Sequence, residues 1–183
     1  MTRCAVIGGG AWGTALADIL ARNGHDTVLW ALEGDVVAAV NSDHENKRFL
    51  AGFKLSETLR ATSSFGHALD SASLVCIATP SQHTRSVLKP ARAHLAPRAI
   101  LCVASKGIER DTLALMSDVV AEEAPQHPVV ALSGPSFAAE VAGKAEPRCW
   151  RTIAVGSRRS QTGWQVRSGY SAATSVWGRA RAG

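Results

Sequence analysis

The chain has 183 residues, 46% of them apolar, and a formal net charge of +5, which suits one globular domain of ordinary size with a core of its own. It holds no run of about 18 or more apolar residues and no charged-then-apolar-then-small leader, so the sequence predicts a cytoplasmic chain with no membrane partner. The basic charge is local: residues 148–183 hold seven arginines and no acid, which leaves 13 basic residues against 15 acidic in 1–147. Three of the five tryptophans, Trp150, Trp164 and Trp177, also lie beyond Pro147. The composition therefore predicts a folded domain over 1–147 and a separate, disordered tail over 148–183. Four cysteines, Cys4, Cys76, Cys102 and Cys149, show no C-x-x-C spacing, and the first three sit in apolar runs. They read as small core residues, neither disulfides nor zinc ligands, and no metal site is expected.

Taken in order, residues 4–7 form an apolar run, a strand buried on both faces. Glycines at 8, 10 and 13 follow as G-x-G-x-x-G, and residues 14–22 carry apolar side chains at helical spacing up to Asn23-Gly24. In a strand-turn-helix context Gly8 serves the sharp turn, Gly10 the close approach of a pyrophosphate, and Gly13 tight packing of the helix on the sheet. The anion would rest on the helix N-terminus, where unpaired N–H groups and the helix dipole favour negative charge. The competing reading is a glycine-rich surface turn.

Residues 27–30 are the second strand and 35–40 open a second helix; strand-helix-strand in this span indicates a parallel sheet with right-handed crossovers. Glu33 stands 20 residues after Gly13, the spacing at which an acid bonds the adenosine ribose. A solvated acid in a helix's first turn fits it equally. Residues 41–59 form a long polar connection with Phe49, Leu50 and Phe53 as anchors and no nameable chemistry. Further on come a short helix ending over 68–72, a strand over 74–78, a helix over 83–94, a strand over 99–104, a helix over 111–123 and a strand over 129–132. Three of the strand ends, 79–82, 105–107 and 133–138, would face one crevice, because ligands of such sheets bind beyond the carboxyl ends of the strands. Lys106, between Ser105 and Gly107, either points its ammonium at a phosphate or carbonyl oxygen or is a surface lysine in a turn. The segment from Ser133 to Ser136 opens a helix through Glu140 and either caps it or binds an anion.

These motifs together resemble the N-terminal domain of bacterial NAD(P)-dependent glycerol-3-phosphate dehydrogenases. GGGAWGTALA at 8–17, LW at 29–30, HENKRFLAG at 44–52, TPSQ at 79–82, SKG at 105–107 and SGPSFAAEVA at 133–142 come in that family's order and spacing, over about 143 residues. The resemblance implies a Rossmann-type, doubly wound α/β fold and reversible reduction of dihydroxyacetone phosphate to glycerol 3-phosphate, a precursor of phospholipids. It further implies that Ala11, Trp12 and Ala138 contact the cofactor, that Lys106 meets both cofactor and substrate as the catalytic lysine, and that Gly134 and Ser136 bind substrate. A homodimer is implied for a full-length member.

Two departures from the family stand out. Many members carry His or Arg two residues after the strand-two tryptophan, against an NADP 2′-phosphate; here that residue is Leu32, followed by Glu33, which would repel the phosphate and favours NAD over NADP. No Gly-Gly-x-x-Lys-Asn motif, the family's opening to its helical second domain and its acid/base lysine, follows Gly143. The Arg/Gly/Ser/Trp-rich end reads either as a frameshifted or truncated chain with little activity or as a genuine tail, with residues 152–155 able to form one strand. A nucleic-acid adaptor working through the tail's arginines and tryptophans is the reading from another class, and it lacks any RNA-binding motif. A chain that folds poorly, because the face meant for the helical domain lies bare, is the third.

Overall fold

The computed structural model describes residues 1–133, 138–143 and 151–155. Strands β1 (Arg3–Ile7), β2 (Asp26–Trp30), β3 (Arg60–Thr62), β4 (Leu74–Ile77), β5 (Ile100–Val103), β6 (Val129–Ser133) and β7 (Arg151–Val155) form one sheet in the order β3-β2-β1-β4-β5-β6-β7. All neighbours are parallel except β6 and β7. Helices α1 (Ala11–Arg22), α2 (Gly34–Asp43), α3 (Phe65–Leu69), α4 (Ser81–Ala91), α5 (Met116–Glu123) and α6 (Ala138–Ala142) complete the fold. This is the doubly wound Rossmann-type arrangement that the motifs imply.

Alternation along the strands builds two core layers. Cys4 and Val6 of β1 and Leu29 of β2 face the side covered by Leu16 and Leu20 of α1 and Val36 and Val40 of α2. Ala5 and Ile7, with Val28 and Trp30, face Leu69 of α3, Leu88 of α4 and Val119 and Val120 of α5. A strand covered on both faces must be apolar at every position, which is why 4–7 and 74–77 read as unbroken apolar runs. Cys4, Cys76 and Cys102 are free thiols within these layers. Burial pushes the Cys4 thiol up to about 12, and a hydrogen bond with Cys102 together with burial raises Cys76, so both remain uncharged core groups.

The structure revises several sequence expectations. The helix expected over 111–123 begins at Met116, because residues 108–115 fold back on themselves: Ile108 bridges Leu115, and Leu113 takes φ 57°. The helix expected over 83–94 starts at Ser81 and ends at Ala91, one residue after Pro90, and passes into a single 3-10 turn over Arg92–His94. In the 41–59 connection Leu50 and Phe53 anchor as expected, while Phe49 stays 38% exposed. Leu55 and Leu59 do the deeper anchoring. β3 has no counterpart in the sequence reading; its three residues are too few to show a period. β7 realises the strand expected over 152–155 and pairs antiparallel with β6, so the sheet draws on residues beyond the compositional boundary at Pro147. The rest of 148–183, with Cys149 and the three tail tryptophans, lies outside the described residues.

Candidate functional site

β1 lies inside the sheet, with β2 on one side and β4 on the other, so the chain's winding reverses between β1 and β4. Because these strands are parallel and in register at Ile7, Trp30 and Ile77, the loops that follow them open on the same edge. At that edge lies a cleft of about 770 Å³, walled by Gly8, Gly10, Ala11, Trp12, Glu33, Lys106 and Ala138 together with Leu32, Phe49, Pro80 and His83. The switch point of an open α/β sheet is where such folds bind their ligands.

The three glycines differ in what surrounds them. Gly8 has φ 126°, in the left-handed region, and a Cβ there would stand 2.8 Å from the Ala78 carbonyl. At Gly13 a Cβ would stand 1.9 Å from the Gly8 oxygen, so α1 rests directly on the strand-loop backbone; Gly13 packs the helix and is not a wall of the cleft. Gly10 differs: its φ is −67°, open to any residue, and a Cβ there would meet nothing within 4 Å. Glycine at this position leaves the approach to the start of α1 uncovered by the described residues. Gly10 caps α1, whose first turn holds no acidic residue. The open N-terminus, the bare approach and the absence of a competing carboxylate suit a dinucleotide's pyrophosphate.

On the β2 side Glu33 precedes α2 as its N-cap residue, but its side chain makes no capping hydrogen bond and borders the cleft. Leu32 beside it is 74% exposed. Asp35, the other acid near this end, is engaged by Arg48 at 3.2 Å, which leaves Glu33 as the carboxylate lining the cleft.

On the β5 side Lys106 sends its Nζ over the Trp12 ring, 5.4 Å from the centroid, a cation–π contact. Trp12 is itself tied down, its Nε1–H donating to the Ala104 carbonyl at 3.1 Å. The sequence treats Trp12 and Lys106 as separate motifs; the fold stacks one on the other. Gly134 and Ser136, the other two expected substrate contacts, lie outside the described residues.

Sequence reasoning passed over the residues that brace these walls. The Gln82 side chain receives the Arg110 N–H at 3.0 Å and donates to the Ile108 carbonyl at 2.9 Å, pinning the segment just after Lys106 to α4. Arg85, one turn on, holds Glu109 through two hydrogen bonds of 2.8 and 2.9 Å and also reaches Glu122 and Glu123. Asn46 reaches the glycine loop from the 41–59 connection, with its Nδ2 2.8 Å from the Gly9 oxygen. The one available hint was that HENKRFLAG and TPSQ are motif stretches without a motif chemistry.

The Arg85 hydrogen bonds, with a further one from Thr112, hold the Glu109 carboxyl down at about 2 against an ordinary 4.5. A depressed folded-state value means that the ion pair stabilises fully above 4.5 and fades as pH falls toward 2. The melting-temperature gap between the native chain and Glu109→Gln is therefore expected to be constant near neutrality and to close over that acid window; a gap that persists at pH 2 would contradict this.

Comparison with known proteins agrees with this geometry. Residues 3–161 match the family described as NAD-dependent glycerol-3-phosphate dehydrogenase N-terminus, so the match also runs past Pro147. A glycerol-3-phosphate dehydrogenase (NAD(P)+) of Nitratidesulfovibrio vulgaris (strain DP4) is 49% identical over 143 residues, 76% of this chain and 43% of that protein. Its namesake in Myxococcus xanthus (strain DK1622) is 40% identical over 180 residues, 90% of this chain and 54% of that one. Among solved structures, glycerol-3-phosphate dehydrogenase from Coxiella burnetii has a TM-score of 0.71 at 34% identity, over 76% of this chain and 43% of its own. The chain thus spans about half the length of the curated relatives it matches. With the Rossmann sheet, the glycine-loop cleft and a match over most of its length, the chain belongs to the family of NAD-dependent glycerol-3-phosphate dehydrogenases, in that family's N-terminal part.

Proposed function

We propose that this chain is the nucleotide-binding part of an oxidoreductase that interconverts dihydroxyacetone phosphate and sn-glycerol 3-phosphate, with NAD(P)H held in the cleft at the β1/β4 switch. The observation that carries the reading is convergence: the glycine loop with the α1 N-terminus, Glu33 and Lys106, which come from three different strand ends, border a single cleft. Gly8 and Gly13 shape the loop, Gly10, Ala11 and Trp12 receive the pyrophosphate, Glu33 receives the adenosine ribose hydroxyls, and Ala138 closes the far wall. Gly134 and Ser136 belong to the substrate side of the same proposal.

When bound, the nicotinamide supplies the hydride that turns the ketone into the alcohol. The protein's own contribution is position and charge. Lys106 is the group suited to a substrate oxygen: its ammonium offers three donors and is aimed by the Trp12 face. As reduction builds negative charge on the former carbonyl oxygen, a fixed cation in a partly closed cleft lowers the cost of that charge.

Glu33 gives the proposal its finer form, NAD rather than NADP. A carboxylate facing the ribose hydroxyls accepts their hydrogen bonds but repels a 2′-phosphate. Titration of the chain with each reduced cofactor, followed by nicotinamide fluorescence, is expected to show NADH bound about tenfold more tightly than NADPH. Glu33→Ala should narrow that ratio to near unity. No binding of either cofactor would overturn the proposal, and a clear NADPH preference would overturn the assignment of Glu33 alone.

A further inference from the structure

The 41–59 connection carries a buried polar residue whose amide nitrogen reaches the glycine loop. Asn46 is 0% exposed. Its Nδ2 donates to the Gly9 carbonyl at 2.8 Å and to Thr14 Oγ1 at 2.8 Å, while its Oδ1 accepts from the Phe49 N–H at 3.1 Å. Thr14, also fully buried, adds its own hydroxyl to the Gly9 carbonyl at 3.3 Å. Two donors therefore converge on one backbone oxygen of the loop, and both side chains are closed off from water.

That oxygen belongs to the peptide joining Gly9 to Gly10, and the chain has no cis peptide among its described residues. In a trans peptide the C=O and N–H lie in one rigid plane and point in opposite directions within it. Fixing the Gly9 carbonyl toward Asn46 and Thr14 thus fixes the Gly10 N–H to point the opposite way, across the C–N bond and in the same plane. Between two glycines the plane has little intrinsic preference, since neither residue has a Cβ to limit its rotation. No described backbone group accepts from the Gly10 N–H. Gly10 borders the cleft, and a Cβ built on it would meet none of the described residues within 4 Å.

We propose that Asn46 is a positioning residue for the cofactor: by holding the Gly9 carbonyl it sets the direction of the Gly10 N–H, the donor offered to the dinucleotide's pyrophosphate. The inference rests on the dinucleotide reading for the identity of the ligand. It also gives the HENKRFLAG stretch a task. Asn46 orients the loop from below, and Phe49, whose N–H the same side chain holds, lines the cleft from the side.

Asn46→Asp tests the proposal. The carboxylate keeps an acceptor for the Phe49 N–H but sets an oxygen against the Gly9 oxygen in place of a donor. In the full 183-residue chain, NADH and ADP-ribose are expected to bind about 10–100-fold more weakly, the effect of one misaligned or unsatisfied charged hydrogen bond. Adenosine, which lacks the pyrophosphate, should bind within twofold of the native chain. Calorimetric titration of the three ligands reads both effects, with circular dichroism to show that the variant is folded. Thr14→Val, which removes one of the two donors to Gly9, supplies the same test if Asn46→Asp does not fold, with a smaller loss of about three- to tenfold for NADH and none for adenosine. Unchanged NADH affinity in a folded variant, or equal weakening of NADH and adenosine, overturns the positioning role. Failure of the unaltered chain to bind NADH overturns the dinucleotide reading itself, a result that the native titration separates from the first.

Discussion

Replacing Gly10 with valine is expected to leave the chain folded and to weaken NADH binding about 100-fold or more. The backbone at Gly10 is in an ordinary extended conformation, and among the described residues nothing beyond its chain neighbours lies within 4 Å of a Cβ placed there. The cost to the fold is confined to the helix cap, roughly 1 kcal/mol, or about 2–4 °C in melting temperature for a chain of this size. The cost to binding is steric, because the side chain fills the approach that the pyrophosphate needs; a 100-fold loss corresponds to about 2.7 kcal/mol. Gly13→Ala should behave in the opposite way. Its new methyl would stand 1.9 Å from the Gly8 oxygen and 3.0 Å from the Gly8 carbonyl carbon, both backbone atoms that cannot swing aside. Overpacking of this kind costs about 3 kcal/mol or more, a fall of roughly 6–12 °C, and any loss of binding follows from the loss of structure. Paired thermal melts and NADH titrations of the two variants separate a glycine kept for a ligand from one kept for packing. A Gly10→Val chain that binds NADH normally would remove the pyrophosphate from this loop.

Lys106→Met is expected to weaken binding of dihydroxyacetone phosphate to the NADH-loaded chain about 10–100-fold, the effect of losing one charge-assisted hydrogen bond in a partly closed site. NADH itself should lose less than about fivefold, since most of its contacts lie on the glycine loop. Methionine keeps the length and apolar stem that cover Trp12, so the fold should be untouched. Lys106→Arg is not expected to restore binding fully: the guanidinium is a planar fork where the ammonium is a compact point charge. Titration of substrate into each cofactor-saturated variant decides the matter. Equal substrate affinity in the native chain and Lys106→Met would return Lys106 to the standing of a surface lysine.

The parts of the site that could be read in advance are those whose causes are local. Gly8 must turn, Gly13 must admit a helix, and Gly10 must leave space; each demand falls on a residue within a few positions of the strand that precedes it. Glu33 is legible because β2 and α2 leave it a single short corner. Lys106 is legible as a lysine just past a buried strand, but its contact with Trp12 crosses most of the domain and leaves no mark on either motif. Phe49 reads as a core anchor because aromatic side chains in loops usually bury; the Asn46 hydrogen bond to its N–H instead holds the turn so that it borders the cleft. The segment 111–115 looked helical by composition, and the Gln82 and Arg85 contacts with residues 108–110 hold a tight turn there in place of another helical turn.

Apolar period, glycine spacing and chain order by themselves determined the Rossmann plan, the strands β1, β2, β4, β5 and β6, the glycine loop and the candidates Glu33 and Lys106. Each of these follows from burial on two faces or from backbone geometry within one strand-turn-helix unit, and such demands repeat along the chain where they can be seen. Only the tertiary structure decided where the winding reverses, between β1 and β4, and so where on the sheet edge the expected crevice opens. It also decided that Asn46, Gln82 and Arg85, polar residues that would pass for surface, are the braces of that cleft. A hydrogen bond between residues 24 to 37 positions apart has no period and no composition, so it becomes visible only when the sheet has set its two ends side by side.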